Sequence, residues 1–190
     1  MVNLTKGQKV ELTKGNAGLT RIRVGLGWDV NEYASGGDFD LDASAFALGA
    51  NGKTTQQGDM VFYNNPSHPS GSITYMGDNR NGAGDGDDET IEVDLSRVPA
   101  NIEKIAFTVT IYDAQARNQN FGQVNNAYIH IMNAESGEEL VRFDLTEDFS
   151  IETALVVGTL YRHEGEWKFT AVGAGYQGGM EALCTNFGVY

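Results

Sequence analysis

Short segments in which hydrophobic and polar residues alternate account for most of this chain. In Thr20–Leu26 the aliphatic residues Ile22, Val24 and Leu26 fall on one face, and two arginines fall on the other. A period of two predicts a strand with one buried face. Similar segments, rich in β-branched and aromatic residues, occur at 38–48, 60–63, 72–76, 90–93, 105–112, 127–132, 139–143, 155–161 and 167–172.

Turn signals separate these segments at short intervals, as at Asn64–Pro66 and Glu164–Glu166. Many short strands joined by turns predict an all-β fold, an antiparallel two-sheet β-sandwich with little helix. The best short helix candidate is Gly179–Gly188. A length of 190 residues, 41% of them hydrophobic, fits one domain spanning 1–190.

One stretch, Gly77–Glu89, has no hydrophobic periodicity and packs four glycines, two asparagines and five carboxylates into thirteen residues. Glycine permits a tightly turned backbone, and Asp, Asn and Glu supply hard oxygen donors. This composition predicts a loop that holds a hard divalent cation. Calcium is favoured over magnesium, because calcium accepts six to eight oxygens in adaptable geometry.

A second acidic cluster begins at Asp38, where the period of two places Asp38, Asp40 and Asp42 on one side of a strand and Phe39 and Leu41 on the other. Three carboxylates therefore project together. We expect this cluster and the glycine-rich loop to lie at one rim of the sandwich and to share two or more calcium ions.

Net charge supports this arrangement. Residues 29–42 contain five acids and no Lys or Arg, and residues 78–94 contain seven acids and one arginine, so these segments carry −11 of the formal net charge of −13. Such an acidic protein is a poor partner for nucleic acid or for anionic lipid. No signal peptide or membrane-spanning segment is recognisable, and we expect a cytoplasmic protein without direct membrane insertion.

The acidic segments are also compatible with functions other than calcium binding. A solvated acidic loop is the plain alternative to a metal site. The twelve-residue helix–loop–helix calcium pattern fails from Asp38, because position six is Ala43 and position twelve is Gly49. Paired carboxylates could serve a glycosidase-like cleft, but no nucleophile–base signature accompanies them. We therefore predict no catalytic residue and no organic cofactor.

Smaller features fit a structural role. Gly173–Gly178 matches a dinucleotide-binding pattern, but only twelve residues follow it, so a turn before the final helix is expected. Cys184, the only cysteine, is expected to pack in the core. The three histidines are widely separated, and we expect each on the surface or on a strand face.

Several motifs together resemble the TerD family of bacterial tellurite-resistance and general stress proteins. The resemblance spans essentially the whole chain. The motifs that carry it are Gly25–Asp29, Phe39–Ser44, Val61–Asn64, Gly77–Asn79, Gly84–Glu89, Tyr161–His163 and Trp167–Phe169.

The resemblance implies a non-enzymatic calcium-binding β-sandwich that acts with other tellurite-resistance proteins, among them a membrane protein of the TerC type that would recruit it to the inner face of the membrane. Alternatives are a metal-dependent enzyme acting on a phosphate-bearing or tellurium oxyanion, and a cyclic-nucleotide receptor. The residues that the resemblance implies as metal ligands are Asp38, Asp40, Asp42, Asp78, Asn79, Asp85, Asp87 and Glu89, with Asp29 and Asp88 in addition.

Overall fold

A computed structural model describes residues 1–30, 39–78, 86–145 and 148–189, with only the backbone of Val30 and Asp78. This part of the chain forms twelve strands and two α-helices, with short 3-10 helices at Gln57–Asp59 and Phe121–Gln123. In chain order the elements are β1 Val2–Leu4, β2 Lys9–Glu11, β3 Arg21–Val30, β4 Leu41–Leu48, β5 Met60–Val61, β6 Ile73–Asp78, β7 Glu89–Asp94, β8 Lys104–Ile111, α1 Ala114–Arg117, β9 Val124–Asn133, β10 Glu139–Asp144, β11 Ala154–His163, β12 Glu166–Tyr176 and α2 Gly179–Phe187.

The strands form two six-stranded sheets. Sheet A has the order β1-β10-β9-β3-β7-β6, and sheet B has the order β2-β12-β11-β8-β4-β5. The predicted two-sheet sandwich is therefore confirmed. One pairing departs from the antiparallel expectation, because β1 runs parallel to β10 at the edge of sheet A. The first strand has only three residues, too few for a pattern that would predict its direction.

The predicted alternation in β3 positions the core. Ile22, Val24 and Leu26 are at most 1% exposed and face sheet B, whereas Arg23 lies on the outer face of sheet A and pairs with Glu92 of β7 at 2.7 Å. The sheets share this apolar interior as one cluster. The two faces of sheet A thus differ sharply in polarity, as the period of two requires.

Helix α2 covers part of the outer face of sheet B. Its residue Phe187 packs against Phe46 of β4, with ring centroids 4.8 Å apart, and Cys184 belongs to the same small cluster. Burial raises the pKa of the Cys184 thiol. Gly188 ends the helix at a φ of 77°, a left-handed conformation that favours glycine. The predicted C-terminal helix and the packed cysteine are both found.

Strand register places the described residues that flank the two acidic segments. Strand β7 starts at Glu89, which pairs with Leu26 near the C-terminal end of β3. Strand β4 starts at Leu41, which pairs with Ile111 at the end of β8. After Ile111 the chain continues through α1 to β9, whose first residue pairs with the last residue of β3. That both acidic segments share one rim stays a prediction, because residues 31–38 and 79–85 lie outside the described part of the chain. Of the predicted ligands, Asp38, Asn79 and Asp85 lie outside the described residues.

One histidine contradicts the expectation of surface or strand-face positions. The His68 side chain is 1% exposed and its Nε2 lies 3.0 Å from Oδ1 of Asp59, which is completely buried. Asp59 also accepts hydrogen bonds from the backbone N–H of Thr55 at 2.6 Å and from its hydroxyl at 2.7 Å. Burial raises the pKa of Asp59, but these hydrogen bonds outweigh burial and lower it overall. A buried acid is tolerated here because it is fully hydrogen-bonded.

We expect Asp59→Ala to lower the free energy of unfolding by about 3–5 kcal/mol, because it strands buried donors on Thr55 and His68. Since the pKa of Asp59 is lowered in the folded state, its contribution is present above the unfolded pKa and is lost as pH falls through the folded pKa. Urea denaturation at pH 7 measures the effect. As a control, Asp144→Ala removes a mostly exposed acid and should cost less than about 1 kcal/mol. Equal losses of unfolding free energy in the two variants would contradict the stabilising role of Asp59.

Candidate functional site

The carboxylate of Asp87 lies on the outer face of sheet A, across the backbone of β3. The Tyr128 hydroxyl donates a hydrogen bond to its Oδ1 at 3.0 Å, and His130 Nε2 lies 2.8 Å from the same carboxylate. Tyr128 and His130 alternate along β9 with buried isoleucines, so both point outward. Asp87 is thus fixed by β9 although it lies just before β7 in the chain.

Two glycines make this crossing possible. The outward positions of β3 that face Asp87 and β9 are Gly25 and Gly27. A Cβ at Gly25 would overlap the Asp87 carboxylate and the His130 ring, and a Cβ at Gly27 would overlap the Tyr128 ring. The polar cluster can therefore lie flat on the sheet only because this stretch of β3 has no outward side chains.

Asp88 connects the start of β7 to β3. Its backbone N–H donates to the Leu26 carbonyl at 2.9 Å, and its carboxylate accepts from the Trp28 N–H at 2.8 Å. Burial is the largest cause that raises the pKa of Asp88, and the negative charges of Asp29 and Asp87 raise it further, against the lowering effect of the Trp28 bond. The Asp88 carboxylate is therefore close enough to Asp29 and Asp87 to be affected by their negative charges.

Asp29 and Glu89 complete the described acids at this end of sheet A. Asp29 is exposed near the end of β3, and the Asn126 side-chain amide donates to its Oδ2 at 2.7 Å. Glu89 is only 3% exposed and lies on the inner face of β7, in register with Ile91. Asp29 thus faces solvent at the rim, whereas Glu89 enters the end of the sandwich.

The second acidic segment faces a different side. Asp42 lies opposite Thr110 on the outer face of sheet B, beside Tyr63, and Asp40 is exposed just before β4. Burial, followed by the charge of Asp42, raises the pKa of Tyr63. The structure therefore brings Asp29, Asp87 and Asp88 together but directs the Asp42 side chain away from them.

Within the described residues, no group of three or more His, Cys, Asp or Glu side chains is arranged to hold a metal ion. A complete oxygen cage would need donors from the two acidic segments that lie outside those residues, where Asp38, Asn79 and Asp85 are the predicted ligands. Asp78 belongs to β6, and only its backbone is described.

Tyr128 and His130 are the residues that sequence reasoning missed. Burial lowers the pKa of His130, but the hydrogen bond and charge of Asp87, with the charge of Glu139, raise it overall. Burial and Asp87 raise the pKa of Tyr128. Arg142 stacks on the Tyr128 ring with 4.1 Å between its guanidinium carbon and the ring centroid. The signal in the sequence was the polar face of β9 beside two outward glycines of β3.

Comparison with known proteins decides the family. The family model described as the TerD domain matches residues 1–187. The chain belongs to the TerD family. Its similarity to individual TerD-family proteins extends over nearly the full length: it is 60% identical to the uncharacterized protein YceE of Bacillus subtilis (strain 168) over 99% of this chain and 98% of that one.

Two further TerD-family relatives carry functional names. General stress protein 16U of Bacillus subtilis (strain 168) is 58% identical, over 99% of this chain and 97% of the relative. Tellurium resistance protein TerD of Serratia marcescens is 52% identical, with the same coverage. This chain is therefore a member of a tellurium-resistance and stress-protein family.

A solved structure agrees with the fold. The crystal structure of a homologue of telluride resistance protein (TerD) from Streptomyces coelicolor A3(2) superposes with a TM-score of 0.68 at 24% identity, covering 88% of this chain and 95% of that one. At this identity the likeness shows the sandwich fold alone. Within the described part of the chain, no helix has the length and apolar character needed to cross a membrane.

We expect Gly25→Ala to lower the free energy of unfolding by about 1–3 kcal/mol, because the new methyl group must displace Asp87 and His130 or bend β3. Urea denaturation measures the loss, and the matched control is Gly15→Ala, where a Cβ would meet open space. Equal stability of the two variants would mean that Asp87 does not lie across β3.

Proposed function

We propose that this TerD-family protein is a non-enzymatic stress protein that binds calcium at its acidic rim and uses the calcium-loaded rim as a surface for a partner. The observation that carries the proposal is the environment of Asp29, Asp87 and Asp88. These carboxylates lie at the end of β3 and just before β7, and the charges of Asp29 and Asp87 both act on Asp88. Neutral donors hold two of them, the Trp28 N–H for Asp88 and the Asn126 amide for Asp29.

Carboxylates that serve only solubility need no such fixation. In the described chain, no lysine or arginine forms an ion pair with Asp29, Asp87 or Asp88, and His130 is the one cationic partner of Asp87. The charges of Asp29 and Asp87 both raise the pKa of Asp88, so these like charges repel one another. A divalent cation would convert this repulsion into binding energy.

The donors present suit calcium. Asp88 and exposed Asp29 each have one described hydrogen bond, so lone pairs on both carboxylates could bind an ion. Both oxygens of Asp87 are already hydrogen-bonded, which suits a carboxylate that is oriented before the ion arrives. With Asp38, Asn79 and Asp85, these residues would form an all-oxygen set of the kind calcium accepts. Asp40 and Asp42 on the sheet B side would serve a second ion.

The proposed partners are other tellurite-resistance proteins, including a TerC-type membrane protein, and the proposed location is the cytoplasm, with recruitment to the inner face of the membrane through that partner. The support is electrostatic. A chain with a formal net charge of −13 is repelled by an anionic leaflet, so membrane association would require a protein partner.

We expect calcium to stabilise the protein. If only the folded state binds it, a hundredfold excess over the dissociation constant raises the free energy of unfolding by about 2.7 kcal/mol. Thermal melting with calcium, with magnesium and with a chelator measures this. Magnesium is the control, and it should stabilise less. Identical melting with calcium and with chelator would contradict the proposal.

Substitutions at the rim should weaken calcium binding in calorimetry. Asp88→Asn keeps an acceptor for the Trp28 N–H but removes the charge, and we expect at least a tenfold loss of affinity, which is about 1.4 kcal/mol. The matched control is Asp94→Asn at the other end of β7, which should leave affinity unchanged. If the acidic segments share ions, Asp40→Asn weakens binding about as much as Asp87→Asn; an effect of Asp87→Asn alone would mean that the Gly77–Glu89 loop binds calcium by itself.

The competing functions predict different results. A metal-dependent enzyme would turn over phosphoesters or tellurite in the presence of calcium, and a nucleotide receptor would release or absorb heat with cyclic nucleotides. We expect no turnover above buffer and no heat. Either positive result would replace the proposed non-enzymatic role.

A further inference from the structure

The outer face of sheet B carries a groove of about 430 Å³ beside the C-terminal end of α2, far from the acidic rim residues of sheet A. This volume lies within the range of about 300–1,000 Å³ typical of small-molecule sites. The groove is distinct from the proposed calcium residues: Asp87 lies on the outer face of sheet A, and the depression beside Asp42 on sheet B shares no lining residue with the groove.

Strand register explains why a depression forms. Ala106, Thr159 and Thr170 lie side by side on three neighbouring strands, and Lys9 of β2 continues the row at one end. Neighbouring strands are about 4.8 Å apart, so these small side chains form a floor that crosses the sheet. Bulkier residues stand along both sides of this row.

The two walls differ in chemistry. One wall is apolar and contains Val156, Val172 and Phe187. The other contains Tyr161 and Lys104, which lie directly opposite each other on β11 and β8. Cross-strand partners have Cβ atoms about 4.5–5.5 Å apart, so Lys104 flanks the tyrosine. The groove therefore has an apolar side and a cationic side.

Two lysines border this cationic side. The Lys9 Nζ lies over the Tyr161 ring, 5.7 Å from its centroid, and Lys104 borders the same ring across the strand pair. No Asp or Glu lines the groove, and within the described chain neither lysine forms an ion pair. Although the protein has a formal net charge of −13, the lining of this groove contains two lysines and no carboxylate beside an apolar wall.

We propose that this groove binds a small amphipathic anion, an organic carboxylate or phosphate monoester with an apolar chain. The apolar chain lies along Val156 and Val172, and the anionic head group sits between the ammonium groups of Lys9 and Lys104. Charge-assisted hydrogen bonds from both ammonium groups would fix the head group. A cationic ligand would be repelled, and a nucleic acid would need a far larger basic surface.

Calorimetry tests the proposal with decanoate and decyl phosphate, below their micelle-forming concentrations and in a chelator, so that calcium plays no part. We expect one molecule bound per chain, and decanol, the uncharged ligand of equal chain length, to bind at least tenfold more weakly. Comparison of decanoate with decyl phosphate identifies the preferred head group. Equal affinities for decanoate and decanol would overturn the proposal.

Variants locate the site. The double variant Lys9→Gln/Lys104→Gln should weaken decanoate at least tenfold and leave decanol unchanged, whereas Lys14→Gln/Arg97→Gln, with the same change in net charge, should alter neither. Thr159→Trp fills the floor and should abolish binding of all three ligands. Unchanged decanoate affinity in the lysine double variant would overturn the proposal. In a parallel vesicle-binding measurement, a protein that binds anionic vesicles but not monomeric decanoate would also overturn it.

Discussion

The antiparallel pairing of β3 with β7 determines where Asp29, Asp87 and Asp88 lie. Leu26 pairs with Glu89, so the end of β3 that carries Asp29 lies beside the residues that precede β7. The Asp88 backbone and side chain extend this pairing by hydrogen bonds to Leu26 and Trp28. Asp29 and Asp88, distant in the sequence, therefore lie at the same end of sheet A. The backbone geometry of a single strand pair thus underlies the proposed metal site.

Side chains and backbone groups around this pairing hold the carboxylates in place, and within the described chain His130 is their one cationic partner. Gly25 leaves space for the Asp87 carboxylate, while Tyr128 and His130 fix its orientation from β9. The raised pKa of Asp88 reflects burial together with the charges of its acidic neighbours. Mutual repulsion among fixed carboxylates is a property that a bound cation would relieve, and the proposed calcium site rests on this repulsion.

Much of the fold could be predicted from period-two patterns, because burial of one sheet face imposes that alternation directly: β3, with Ile22 and Val24 inward, is the clearest case. The parallel edge strand β1 could not, since three residues carry no usable pattern. The buried pair of Asp59 and His68 was also missed, because its stability depends on hydrogen bonds that only the folded chain assembles.

For a similar reason, the acidic residues of the candidate site could be predicted from the sequence, but the directions of their side chains and their partners on β9 could not. Acid density singles out residues such as Asp87 and Asp88, and two-residue spacing singles out Asp40 and Asp42 as a second group of acids. Spacing does not show that the Asp42 side chain faces the outer side of sheet B. The role of His130 depends on the register between β9 and β3, which no local pattern encodes.

The central claim is that both acidic segments bind calcium at one rim, and a crystal structure of the calcium-loaded protein with anomalous diffraction tests it most directly. We predict ions about 2.3–2.6 Å from carboxylate oxygens of both the Asp38–Asp42 and the Asp85–Glu89 segments. Crystals grown in saturating calcium that show no ion at this rim would contradict the claim.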